Sequence, residues 1–180
     1  MDAIGHELWL VLSVAGRVCA GLVFLLAGFQ KTQHWKILPG VIANYRLLPR
    51  SAVPLVSALL PPLEIIIGLL LLSAFAMPWG PLAAIALLAL FAAAMAINLR
   101  RGRSFIDCGC GQSFLKQTLR WTLVARNAVL ALLLLPSLVG ASMTWAPSGV
   151  AAGLAFFLLY LVLNTISALP PALVRGHRFA

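Results

Sequence analysis

Apolar residues run along this chain in long blocks broken by short polar segments, and neither the two-residue nor the seven-residue alternation of soluble elements persists. A helix that crosses a bilayer needs about 20 mostly apolar residues, with about 17 to 25 workable. Five stretches meet that length: 8–29, 53–76, 82–99, 119–139 and 150–169. The turn Met77-Pro78-Trp79-Gly80-Pro81 is too short for anything but a hairpin, so the third stretch must return antiparallel to the second. The pattern predicts an all-α transmembrane bundle of four to five spans, with five favoured, forming a single integral-membrane domain over residues 1–180.

Between spans 1 and 2, segment 30–52 is longer than a connection requires. Trp35, Ile37, Leu38, Val41, Ile42, Tyr45 and Leu48 recur among polar residues at near-helical spacing. That reads as an amphipathic interfacial segment, anchored by Trp and Tyr, that serves as a lipid-facing lid or a partner-docking surface.

Composition sharpens this picture. Hydrophobic residues make up 62% of the 180 positions and charged ones 9%, which excludes both an ordinary soluble domain and a disordered chain. A net charge of +9 suggests nucleic-acid binding only until the cations are located. Eleven of the thirteen Lys and Arg fall in 30–52, 100–120 and the tail after 169, and none falls in the N-terminal segment or the other two loops. With five spans those three segments share one face, which the positive-inside rule assigns to the cytoplasm. The expected setting is therefore a bacterial inner membrane, N-terminus outside, with the bilayer as partner and no nucleic acid. Two acids and no cation in Met1–Glu7 argue against a cleavable signal peptide.

Candidate chemistry is concentrated in Ile106-Asp107-Cys108-Gly109-Cys110-Gly111. Glycines beside two near-adjacent thiols give the backbone the freedom that bringing both sulfurs together needs. A disulfide closing so small a ring is strained and easily reduced, which suits an exchanger better than a staple. The same pair could supply soft ligands to Cu(I), or half a zinc site completed by His34 and His177, or be incidental to a glycine-rich turn. No resident cofactor or metal is expected on the favoured reading.

The second signal is charge inside the spans. Counted from the ends of those apolar stretches, Arg17 and Glu64 lie about 18 Å deep, close to the middle of the hydrocarbon layer. A charge at that depth is costly and should find a partner, so Arg17 and Glu64 are expected to form a membrane-embedded pair. It reads equally as an inter-helix clamp or as part of a site. Pro61-Pro62 removes two backbone donors just before Glu64 and is expected to kink the span there. Arg126 is shallow enough to snorkel, Asn98 and Asn164 suit interhelical hydrogen bonds, and Cys19 reads as a small buried hydrophobe.

Taken in order, Gly28-Phe29-Gln30-Lys31, Tyr45-Arg46-Leu47-Leu48-Pro49, Leu60-Pro61-Pro62-Leu63-Glu64-Ile65, Asp107-Cys108-Gly109-Cys110-Gly111 and Arg126-Asn127 resemble the MauE methylamine utilisation family, within the wider MauE/DoxX group of redox-associated membrane proteins. Members often carry Cys-Gly-Cys-Phe-Gly, whereas Gly111 follows Cys110 directly here. The resemblance implies a maturation factor that supports disulfide formation in the small subunit of methylamine dehydrogenase, alongside a thioredoxin-like, MauD-like partner. It makes Cys108 and Cys110 the exchange pair, with Arg17 and Glu64 shaping the membrane site. Non-enzymatic scaffolding and metal handling through Cys108 and Cys110 stand as alternatives. The client matures outside, while the charge rule puts the cysteine loop inside. Either the loop passes electrons across, or it re-enters the bilayer, or the orientation is inverted. Reporter fusions decide the orientation: those at Lys36 and after Ala180 should read cytoplasmic and one at Gly80 periplasmic, and a periplasmic signal at Ala180 overturns the assignment.

Overall fold

The computed structural model describes residues 3–73, 77–108, 118–139 and 146–168. Among the described residues seven helices follow one another: α1 (Ala3–Gln33), α2 (Leu38–Tyr45), α3 (Val53–Ser73), α4 (Trp79–Arg100), α5 (Trp121–Leu134), α6 (Pro136–Val139) and α7 (Pro147–Ala168). Five are long and apolar enough to cross a membrane, with α5 and α6 counting as one span. The chain is a multi-pass membrane protein of helical-bundle architecture. A bilayer leaves no water to satisfy a peptide group, so each spanning segment must close its own hydrogen bonds.

α1 is the axis of the bundle. The most apolar window of α1 is 61% buried, against 28% for α3, α4 and α5 and 11% for α7. Lipid is as apolar as leucine, so burial alone cannot drive these helices together; close backbone approach does. Glycines supply it. A methyl group at Gly68 of α3 would sit 2.9 Å from the carbonyl oxygen of Gly21, and one at Gly153 of α7 would sit 2.9 Å from that of Ala15. A methyl at Gly16 would collide with the backbone of Leu133 in α5. The contacts also set register. Gly21 faces Leu72 and Gly28 faces Ile65, so α1 and α3 are antiparallel; Val14 meets Gly149 and Val18 meets Gly153, so α1 and α7 are parallel.

Segment 30–52 turns inward. α2 packs on α3, Leu38 is buried, and Val41, Ile42 and Tyr45 line a cavity against α3 and α4, while Trp35 and Ile37 remain exposed. Arg46 ends α2 in a left-handed conformation, φ 50°. The α2 end is held from the loop after α4: the Arg103 guanidinium donates to the carbonyls of Asn44 (2.8 Å) and Tyr45 (3.4 Å) and to Asn98 Oδ1 (3.1 Å). A cation on the last carbonyls of a helix satisfies acceptors that the helix itself leaves open. α3 runs as one helix through Pro61 and Pro62.

Glycine substitutions separate these roles. Gly16→Ala should destabilise the detergent-solubilised protein by about 1–3 kcal/mol, since the Leu133 carbonyl must move. Gly40→Ala, with open space around it, should be neutral or slightly stabilising. Thermal unfolding of both variants checks the contrast.

Candidate functional site

The first buried charge is Glu64, on the α1-facing side of α3 and 1% exposed. Its Oε1 accepts a 2.8 Å hydrogen bond from Lys31 Nζ near the end of α1. The Lys31 side chain is 11% exposed, and its ammonium lies 5.8 Å from the centre of the Phe91 ring on α4. An ammonium that leaves water gains from both a carboxylate and an aromatic face. One ion pair thus joins α1 to α3, with α4 beside it.

This corrects the expected pairing of Glu64 with Arg17. Glu64 stands opposite Gly28, eleven residues and about 16 Å along α1 from Arg17. Counting depth from the ends of the apolar runs assumed that spans 1 and 2 start level. They do not. α1 continues to Gln33, and the first turns of α3 extend below it to pack on α2. Arg17 is fully buried at a different level, where α1 meets Leu133 of α5 and Gly153 of α7. Ser13 and Ser137 exchange a buried hydrogen bond one turn further along.

Cys108 is buried, 5% exposed, and packed with Met95, Ile106, Leu119 and Leu123. Its carbonyl accepts a 2.9 Å hydrogen bond from the Tyr45 hydroxyl, which ties the cysteine segment to α2. Asp107 and Thr118 form an isolated antiparallel bridge, and Leu119 N–H donates to the Ile106 carbonyl at 3.1 Å. The two ends of the loop are therefore held together. Cys110, Gly109 and His177 lie outside the described residues.

The separate signals converge on a single cavity of about 280 Å³ between α2, α3 and α4. Cys108, Tyr45, Lys31, Phe91, Met95 and Leu60 are among its walls. Lys31 lines it with Glu64 as its ion-pair partner, so the cavity is mostly apolar, with Lys31, Tyr45 and Cys108 as its polar lining residues. Lys31 and Tyr45 were not singled out from the sequence as site residues. For Lys31 a signal existed: it lies two heptads beyond Arg17, and no helix breaker separates it from Phe29. Cys19, also buried, lines a different cavity, between α5 and α7, away from Cys108. His34 Nδ1 contacts the Gln30 carbonyl at 3.0 Å. Among the described residues no three metal-ligating side chains cluster.

A helical membrane bundle with one cavity lined by both a cysteine and the lysine of a buried Lys–Glu pair is the class of protein these features define. Residues 9–145 match the family described as methylamine utilisation protein MauE, and the chain belongs to that family. It is 40% identical over 163 residues to the methylamine utilization protein MauE of Paracoccus denitrificans, covering 87% of each chain. It is 39% identical over 154 residues to that of Paracoccus versutus, covering 82% of this chain and 83% of the relative. A third, from Methylorubrum extorquens, is 40% identical over 117 residues, 64% of this chain and 63% of its own length. No solved structure matches the chain significantly.

The ion pair yields a direct expectation. Lys31→Met or Glu64→Gln alone strands a buried partner and should cost about 3–5 kcal/mol, whereas the double variant should recover most of it. Combining Arg17→Met with Glu64→Gln should bring no such recovery. Melting temperatures of the detergent-solubilised variants test both statements, and rescue of Glu64→Gln by Arg17→Met would restore the discarded pairing.

Proposed function

We propose that this chain serves methylamine utilisation as a membrane thiol–disulfide relay, with Cys108 and Cys110 as the exchanging pair. The observation that carries the reading is the placement of Cys108 at the wall of the cavity that Lys31 also lines. A cation near a thiol favours the thiolate, the form that attacks a disulfide. The exchange is balanced in itself. One thiolate attacks a partner disulfide, a mixed disulfide forms, and the second thiol, losing its proton, displaces the partner's sulfur. The partner leaves with two thiols, and Cys108 and Cys110 leave joined; the reverse run oxidises the partner. By family resemblance the partner is a thioredoxin-like protein, the client the disulfide-rich small subunit of methylamine dehydrogenase, and the site the bacterial inner membrane.

Within this scheme Lys31 and Glu64 are positioning residues. Their pairing fixes where the positive charge stands, and Glu64 keeps the ammonium from withdrawing to water. Arg17, three helical turns away, supports α1 and has no part in the exchange.

The experiment is a trap. In a cell that makes the client, Cys108→Ser or Cys110→Ser, whichever removes the resolving thiol, should accumulate a covalent complex with the thioredoxin-like protein or its client. The complex should appear on non-reducing gels and vanish on adding reductant. Cys19→Ser should mature the client normally. Full client maturation in the Cys108→Ser/Cys110→Ser double variant, with no trapped species from either single one, rejects the relay and leaves a scaffold.

A further inference from the structure

A second, larger cavity of about 560 Å³ opens between α5 and α7, with Cys19 of α1 at its back. It exists because α7 packs on α1 while α5 packs on α4. The two helices meet mainly through a polar bridge. Arg126 Nη1 donates to Asn164 Oδ1 at 2.6 Å, and the guanidinium carbon lies 5.3 Å from the centre of the Tyr160 ring. Asn164 is 8% exposed.

The lining is graded from end to end. α5 and α7 run antiparallel, so Thr122 and Arg126 share one end with Asn164 and Ser167, while Leu133 and Phe156 wall the other. Arg126 stands five residues beyond Trp121, about 7.5 Å into the span, on the face that carries Arg120 and the basic loop. Arg126 is the charged residue of the lining, and no acidic side chain is among its described residues. A held cation at a shallow mouth, with an apolar trough leading inward, is complementary to one kind of molecule: an anionic headgroup carrying a hydrocarbon chain. A neutral lipid would gain from the trough alone.

We propose that the α5–α7 cleft binds an anionic phospholipid of the leaflet on the basic face, with its phosphate on Arg126 and one acyl chain along Leu133 and Phe156. Arg126 is well suited to phosphate because its planar fork donates several hydrogen bonds at once. On the orientation that the cation asymmetry predicts, the leaflet also supplies the ligand, since the cytoplasmic surface carries the membrane's anionic lipid charge. α7 then contacts the rest of the bundle partly through lipid, consistent with a window only 11% buried by protein. The site is independent of the thiol chemistry in the other cavity.

The test uses the full chain, purified in mild detergent and stripped of lipid. Native mass spectrometry counts molecules bound during titration with phosphatidylglycerol or with phosphatidylcholine of identical chains. The wild type should hold a single phosphatidylglycerol about tenfold more tightly, the worth of one charge-assisted contact. Arg126→Gln should erase that preference and Arg126→Lys should keep part of it. Val129→Trp, which fills the trough and leaves the charge, should weaken both lipids. Glycerol phosphate, the headgroup without chains, should fail to compete, which separates a lipid from free phosphate. Equal affinity of the wild type for the two lipids overturns the proposal, as does an unchanged preference in Arg126→Gln. A neutral polyprenyl compound retained through stripping, or a dimer whose formation excludes lipid, overturns it equally. If Arg126→Gln fails to fold, the wild-type preference and the Val129→Trp result decide the matter.

Discussion

Everything in this bundle leans on how closely other helices can approach α1. In lipid there is no hydrophobic gain from moving leucine against leucine, so contact energy must come from backbones brought within van der Waals range. Gly16, Gly21 and Gly28 on α1 and Gly68, Gly149 and Gly153 on its neighbours provide that range. Each contact fixes a register as well as a distance. α3 is set so that Glu64 lies opposite Gly28, where Lys31 can reach it from the next turn of α1. α7 is set against the first half of α1 and away from α5. The two cavities, one edged by the ion pair and one bridged by Arg126, are the spaces left when α1 has taken its partners.

The polar groups inside the bundle follow the same logic at different cost. Ser13 and Ser137 satisfy each other, and Asn98 donates its amide N–H to the Ala94 carbonyl while its Oδ1 accepts from the Arg103 guanidinium. Charged groups are dearer to desolvate, and a buried pair repays that cost only with good geometry. Lys31 and Glu64 meet at 2.8 Å with Phe91 alongside. Such a pair adds little net stability over well-packed leucines, yet it fixes where charge stands beside the cavity. On the proposed relay reading, that placement matters more than binding energy.

Long apolar runs made the five spanning helices legible, because hydrocarbon thickness imposes a length that few soluble segments reach. The cysteine motif and Glu64 were legible as separate signals. Their convergence was not. Depth counted from the end of each apolar run carries an error equal to the stagger between helices, and that stagger was hidden in the glycine contacts. Arg17 was therefore matched with Glu64, and Lys31 was grouped with the loop cations although α1 carries it inside. The inward turn of α2 was equally hidden. Val41, Ile42 and Tyr45 have the spacing of a helix face, but spacing does not tell whether the face meets lipid or protein. That was decided by Arg103 and Cys108, some sixty residues away.

Those two links carry a consequence for the thiol. A cysteine only 5% exposed cannot bring its sulfur in line with a partner's disulfide until something uncovers it. Its cover includes α2, eight residues long, held to the cysteine segment by the Tyr45 hydroxyl and to the preceding loop by Arg103. Short elements fastened by a few hydrogen bonds open at lower free energy than the packed spans behind them. Lifting α2 would break the Tyr45–Cys108 bond and widen the cavity. On the relay reading, a docking partner that grips the exposed Trp35–Ile37 edge acts on the very element that shields the sulfur, so recognition and exposure become one event. The Lys31–Glu64 pair is anchored in the spans and not in α2, so on that reading it stays in place while the cover moves and keeps its cation at the cavity wall.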